Sequence, residues 1–349
     1  MAHIIIVTPA GAGTRTGNRH TAQRWAGLLR ALGHRVQVCI EWQGQPADLL
    51  LALHARRSHA SIEAFRRAYP GRALVVVLTG TDLYRDLPRS PEARRSLALA
   101  TRVVVLQDEA KRMLAPALRR RTHVVYQSSD ARARHAPPRD RLRIAVVGHL
   151  REEKDPFRAV AALARLPQEP RIELIQVGDA LTPEMARAAR AWMRREPRYR
   201  WIGGRRHAAA LGWIARSQLL VVSSWMEGGA NVICEAARIG TPVIASRISG
   251  NIGMLGRGYP GFFPVGDSAA LARRIARAAS ERGYVSRLDA ALRARRARFA
   301  PRAEQAALAS ALDAALRSVR LRPRPARRTA RCRPRGSDRR GRRRSSRPC

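Results

Sequence analysis

Runs of aliphatic and β-branched residues alternate with amphipathic stretches along most of the chain. HIIIVTP (3–9), RVQVCI (35–40), DLLLALH (48–54), LVVVLTG (74–80), RVVVLQ (102–107) and HVVYQ (123–127) read as strands. Their near-continuous hydrophobicity is that of strands covered on both faces, as in parallel sheets. Between the first two, GNRHTAQRWAGLLRALGH places Trp25, Leu28, Leu29 and Leu32 three and four apart and stops at Gly33, which predicts a helix. A polar, Pro-containing stretch, SSDARARHAPPRDR, then marks a boundary near residues 130–141. The rhythm restarts with strands RIAVVGHL (143–150), RIELIQVGD (171–179), RWIGG (200–204), LLVVSS (219–224) and PVIAS (242–246). DPFRAVAALARL, PEMARAARAWMRR, AAALGWIARS and ANVICEAARIG read as helices between and after them. Strand–helix alternation twice over predicts an α/β protein with two Rossmann-like parallel sheets facing a central cleft, ligands binding at the carboxyl ends of the strands. The expected organisation is a first domain over 1–135, a second over 141–300, a C-terminal helix over 301–318 and a disordered Arg-rich tail over 319–349.

Composition narrows the class. The 349 residues are 45% hydrophobic, enough for real cores, and carry a formal charge of +41. Fourteen of the arginines and a single aspartate lie in residues 320–349, so most of the excess charge sits on the folded part. It reads either as attraction for an anionic partner or as coding bias on a solvated surface, since alanine and arginine dominate and only Lys111 and Lys154 are lysines. Aromatic residues, at 5%, are not interleaved with basic ones, so nucleic acid is expected to engage nothing but the tail. Cys39, Cys234, Cys332 and Cys349 have no metal-ligand spacing and form no disulfide framework, which points to a reducing compartment. The apolar run at the N-terminus is too short for a signal peptide, and no stretch approaches a membrane span. A soluble cytoplasmic protein is expected. The oligomeric state stays open.

The densest candidate chemistry is VVSSWMEGGANVICEAARIGTPVIAS, residues 221–246. A buried strand ends, Gly228 and Gly229 follow, and a helix begins near Ala230 or Asn231. Glycine admits close approach to bare backbone, and the uncapped amides of a helix start form a phosphate site. Glu235 lies one turn after Asn231 on the same helix face, and Glu227 lies just outside, so a carboxylate flanks each side of that site, suited to hydroxyls. The plainer reading makes Glu235 a dipole-favoured helix residue and Glu227 a solvated one. VVGHLREEKDP (146–156) ends a strand at Gly148 and brings Lys154 within reach of the same diphosphate, with Asp155 as N-cap and Pro156 at the first helical position. TPAGAGTRTGNRHTAQRWA (8–26) is a Gly-rich turn into a helix, an anion nest that would turn Arg15, Asn18 and Arg19 to the cleft; Gly11, Gly13 and Gly17 are spaced differently from the dinucleotide fingerprint. LTGTDLYRDL (78–87) places Thr81 and Asp82 at a strand tip beside His54, Arg56 and Arg57 of LHARRS. These fit a phosphorylated acceptor or, equally, turn chemistry. No DxD pair or His/Cys cluster indicates a metal.

Glu227-x7-Glu235, preceded by SS and followed by GTPVIAS, resembles the donor-site motif of the family 4 glycosyltransferases of the GT-B fold. VVGHLREEKDP is similar to that family's lysine segment, and IQVGD to its next strand. TPAGAGTRTGNRHTAQRWA, LHARRS, LTGTDLYRDL and EGGANVICEA look like the selenosugar synthases of selenoneine biosynthesis. The resemblance implies a GT-B hexosyltransferase without a metal or cofactor, which moves GlcNAc or Glc from a UDP-sugar to selenophosphate and forms a C–Se bond. It further implies that Glu235 holds the uridine ribose and that Gly228, Gly229, Ala230 and Asn231 meet the donor phosphates and sugar. Glu227 then contacts the hexose and Lys154 neutralises the leaving diphosphate, these two being the catalytic pair. Gly13, Arg15, Asn18, Arg19, His54, Arg56, Thr81 and Asp82 face the acceptor. One departure is that His149 stands where the family has arginine, with Arg151 two residues out of register. The remaining readings are a UDP-hexose transferase with a hydroxyl acceptor, for which His54 or Asp82 would be the base, a UDP-sugar 2-epimerase, and a nucleic-acid-binding protein acting through its tail.

Overall fold

A computed structural model describes residues 1–9, 11, 17–131, 136–168 and 171–320. In the first half the chain runs β1 (His3–Val7), α1 (Gly17–Ala31), β2 (Arg35–Cys39), β3 (Leu49–Leu53), α2 (His59–Ala68), β4 (Ala73–Leu78), α3 (Pro91–Leu99), β5 (Arg102–Val105), α4 (Asp108–Arg112), α5 (Pro116–Arg119) and β6 (Thr122–Val124). The second half runs β7 (Leu142–Val147), α6 (Arg158–Leu163), β8 (Ile172–Val177), α7 (Pro183–Arg195), β9 (Tyr199–Trp201), α8 (His207–Ala215), β10 (Leu219–Val222), α9 (Asn231–Ile239), β11 (Val243–Ser246), α10 (Ser249–Leu255), β12 (Phe262–Phe263), α11 (Ser268–Ser280), α12 (Arg282–Arg293) and α13 (Pro301–Arg320).

The strands form two six-stranded sheets, β2-β1-β3-β4-β5-β6 and β12-β11-β10-β7-β8-β9. Every pairing is parallel. β3 and β4 are buried at every position, as their unbroken apolar runs require. In each sheet the strand order reverses once, between β1 and β3 in the first and between β7 and β10 in the second. Crevices open at such reversals, so the loops after β7 and β10 share one crevice and those after β1 and β3 the other.

One strand is added and two local expectations change. β12 is two residues long and joins the edge through Ala245 and Ser246, too short to show a period. Asp155 is not a helix cap. It adopts a left-handed conformation, φ 45°, closing a 3-10 turn over Glu152–Lys154, and its carboxylate accepts from Arg158 Nε at 2.7 Å. Phe157 precedes the helix instead. The C-terminal helix extends past 318 to Arg320, and the rest of the expected tail lies outside the described residues.

α13 returns to the first domain. Leu308, Ala311, Leu312 and Ala315 are buried with Trp25, Leu29 and alternate residues of β1, β3 and β4 in one apolar cluster. The chain therefore crosses between the sheets twice, near Ser129 and near Phe299, and the crossings are bonded through Ser129 N to Phe299 O at 3.2 Å. Glu304, at 0% exposure, anchors the return. Its carboxylate accepts from Trp25 Nε1 at 2.6 Å, Arg24 Nε at 2.9 Å, and Ser128 N at 3.0 Å. Removing one partner of a buried, paired charge costs about 3 kcal/mol or more. Glu304→Ala is therefore expected to lower the unfolding free energy by about 3 kcal/mol, checked by chemical denaturation of both chains.

Candidate functional site

The site begins at the reversal between β7 and β10. Ser223 and Ser224, leaving β10, are buried. Ser223 Oγ donates to the carbonyls of Lys154 and Asp155 at 3.1 and 2.9 Å, and Trp225 N donates to Glu153 O at 2.9 Å, so the loop after β7 is stitched to the loop after β10. The stitching brings Lys154 Nζ onto Glu227 Oε1, which also accepts from Ser224 Oγ at 2.6 Å. Glu227 is buried, which overturns its reading as a solvated charge. A buried carboxylate needs such partners, because desolvation is repaid only by close pairing.

The glycines after Glu227 have a second reason to be there. A Cβ on Gly228 would sit 2.1 Å from Thr79 O, and one on Gly80, φ 137°, would sit 2.8 Å from Gly228 N. Gly228 thus lets the first domain's β4 loop lie against the loop after β10, besides baring backbone. A Cβ on Gly229 would meet Leu106 Cβ at 2.7 Å. α9 then starts at Asn231 after Ala230, with no side-chain cap among the described residues; Ile233 N donates to Ala230 O at 2.9 Å, which leaves the amides of Asn231 and Val232 to an anion.

Glu235 lies one turn along α9, and its Oε1 is 2.8 Å from Nε2 of His207, the first residue of α8. That hydrogen bond raises the pKa of His207 above the ordinary 6.5, while loss of hydration, and then His207 itself, lowers that of His20, whose ring centroid is 5.8 Å away. Sequence reasoning passed over both histidines; His207 was findable as the residue that opens a helix just after a strand's carboxyl end. His149 lines the small cavity beside Lys154 together with Gly148, Ser223 and Ser224. Its Nδ1 is 3.9 Å from Asp179 Oδ2. Arg151 turns instead to Glu153, 4.0 Å away, which also holds Arg85 of the first domain at 3.2 Å. Of the two, His149 is the one beside the lysine.

The first domain contributes the loops after β1, β3 and β4. Asp82 is fully buried. Its Oδ1 accepts from the backbone N–H of Thr79, Gly80 and Leu83 at 2.8, 2.8 and 3.1 Å, and its Oδ2 from Ala55 N at 3.0 Å. The acid expected to meet an acceptor, or to act as its base, is instead the peg that shapes two loops. His54, also buried, has φ 73°, a costly conformation outside glycine. Its Nδ1 accepts from Arg57 N at 3.2 Å, and its Nε2 lies 3.1 Å from Thr81 Oγ1. Burial depresses its pKa and so favours the neutral ring. Arg56 is paired to Asp86 at 2.8 Å. Asn18 and Arg19 lie in the first turn of α1, and a Cβ on Gly17 would be 3.9 Å from Asn231 Nδ2, so the starts of α1 and α9 adjoin. Gly13 and Arg15 lie outside the described residues.

Residues 127–305 match the family model described as "Glycosyl transferases group 1". Among solved structures, HepE from Anabaena in complex with UDP and glucose superposes with a TM-score of 0.72 at 18% identity, over 90% of this chain and 100% of that one. A sucrose-phosphate synthase from Thermosynechococcus elongatus gives 0.74 at 18% identity, over 90% and 98%. A glycosyltransferase from Rickettsia africae gives 0.67 at 14% identity, over 92% and 99%. These likenesses carry the fold: two Rossmann-like domains in the GT-B arrangement.

The folded chain holds the His207 proton more tightly than the unfolded chain. The His207–Glu235 contact therefore stabilises fully below about pH 6.5, and its contribution is lost as pH rises through the elevated value. An NMR titration is expected to place the His207 midpoint above 6.5 and that of His20 below it. Glu235→Gln should bring His207 down.

Proposed function

The chain belongs to the group 1 glycosyl transferases, and from that premise we propose that it moves a hexosyl group, GlcNAc or glucose, from a UDP-sugar to selenophosphate. The observation that carries the donor half is the meeting of Lys154, Glu227 and the uncapped start of α9 at one sheet reversal. The HepE complexes with UDP and with UDP-glucose, on a shared fold, support the same class of donor. In this proposal the diphosphate lies on the amides of residues 229–231 and against Lys154, with His149 beside it. Glu235, already fixed by His207, accepts from the ribose hydroxyls, and Glu227 faces the hexose. No cofactor is called for: the ammonium and the helix start stabilise the charge that develops on the leaving oxygen.

The acceptor half rests on what the first domain's candidate bases are doing. Asp82 is committed to backbone amides, and His54 to Arg57 N and Thr81. That favours an acceptor needing no proton removed. In selenophosphate the selenium is already ionised. Its lone pair forms the bond to the anomeric carbon as the carbon–oxygen bond breaks, the electron pair leaving with UDP. The first turn of α1, with Asn18 and Arg19, would receive the acceptor's phosphate. Transfer to a hydroxyl acceptor is the second reading, favoured by the fold shared with sucrose-phosphate synthase.

Incubation with UDP-GlcNAc or UDP-glucose, with and without selenophosphate, tests both halves by mass spectrometry. Selenophosphate-dependent UDP release with a selenium-bearing sugar is the expected outcome. Release that ignores selenophosphate would sink the acceptor half and leave hydrolysis or 2-epimerisation. Glu235→Ala should weaken UDP-sugar binding by at least about tenfold, the order expected for hydrogen bonds to a charged group. An unchanged affinity would remove Glu235 from the donor site.

A further inference from the structure

Gln127, just beyond β6, is 2% exposed, yet its side-chain oxygen Oε1 is buried without a hydrogen-bond partner among the described residues. Buried side-chain acceptors are rarely left so. The amide orientation follows from its neighbours. Thr21 Oγ1 lies 2.9 Å from Gly17 O, a bond in which the hydroxyl must donate, so toward Gln127 it must accept. Gln127 therefore turns its NH2 to Thr21, at 2.5 Å, and its oxygen the other way. That oxygen is 3.3 Å from where a Cβ on Gly229 would sit, so it abuts the Gly-Gly turn of the donor loop. The neighbouring groups repeat the pattern: among the described residues, Asn231 Oδ1 and Arg19 Nε are also buried without partners, at the adjoining starts of α9 and α1.

We propose that Gln127 is a specificity-determining residue that accepts a hydrogen bond from one hydroxyl of the transferred sugar, so that the first domain reads the donor's hexose. The chemistry selects the ligand group. A diphosphate offers only acceptors to a carbonyl oxygen, whereas a sugar hydroxyl has the proton Oε1 lacks. The inference rests on the donor reading given above, and Thr21 acts as the positioning residue behind Gln127.

Calorimetric binding by the full chain tests it without any acceptor. The ligands are UDP, whichever of UDP-glucose and UDP-GlcNAc binds better, and that sugar's deoxy analogues. The wild-type chain is expected to lose on the order of 10- to 100-fold in affinity for one analogue. Gln127→Met should lose a similar factor with the parent sugar and no longer tell the two apart, while binding UDP as the wild type does. Thr21→Val, which frees the amide, should reduce the discrimination with UDP affinity again unchanged. UDP affinity thus reports that each variant is folded. Gln127→Met retaining the wild-type preference at every position overturns the inference alone, as does a wild-type chain indifferent to every deoxy analogue. A wild-type chain that binds no UDP overturns the donor reading and this inference together.

Discussion

The carboxylate of Glu304 accepts hydrogen bonds from Arg24, Trp25 and Ser128, and thereby joins the last helix, the first helix and one of the two interdomain crossings. Much of the candidate site hangs on that junction. α1 carries Asn18, Arg19 and Thr21 on the turns just before Arg24, and Gln127 immediately precedes Ser128. A shift of α13 would move the first domain's wall of the cleft with it. The apolar stripe of α13 supplies burial, but burial is non-directional. The charged, geometrically demanding contact sets the register in which the helix docks.

The fit of the two domains is set by backbone more than by ion pairs. Arg85–Glu153 and the paired contacts of Arg257 with Glu109 cross between them, but both arginines are well exposed, and such pairs contribute little. The closest approaches are at glycines. Gly228 meets Thr79 and Gly80, and a Cβ on Gly250 would sit 2.0 Å from Glu227 O. One on Gly253 would sit 1.8 Å from Gln107 Oε1. α10 thus packs through its two glycines against both the loop after β10 and the first domain, and Gly253 O accepts from Tyr126 Oη at 2.9 Å.

What was legible in the chain was local. Unbroken aliphatic runs marked the parallel strands, because burial on both faces leaves no polar alternation to confuse them. The strand-end positions of Lys154 and Glu227 brought the two together, since loops that follow neighbouring parallel strands must meet. What escaped notice was contact between distant segments. Glu304 and Trp25 are 279 positions apart, and Gln127 and Thr21 are 106 apart, with no local signature to link them. His207 was unremarkable until α8 and α9 were placed side by side. Gly-Thr-Asp at 80–82 fitted both ligand binding and turn formation, and only the hydrogen bonds to Asp82 decide for the turn.

The contact of Gly228 with Thr79 also bears on how such a protein could acquire a new substrate. Sequence drift usually explores specificity through loops, where changes disturb little else. Here the loop after β10 has no such freedom, because even a methyl group at 228 would collide with the opposite domain's main chain. Gln127 meets the same loop from the first domain through a side-chain oxygen, and not through main chain. Under the proposed donor reading, variation in the sugar transferred is therefore channelled to the first domain's side chains.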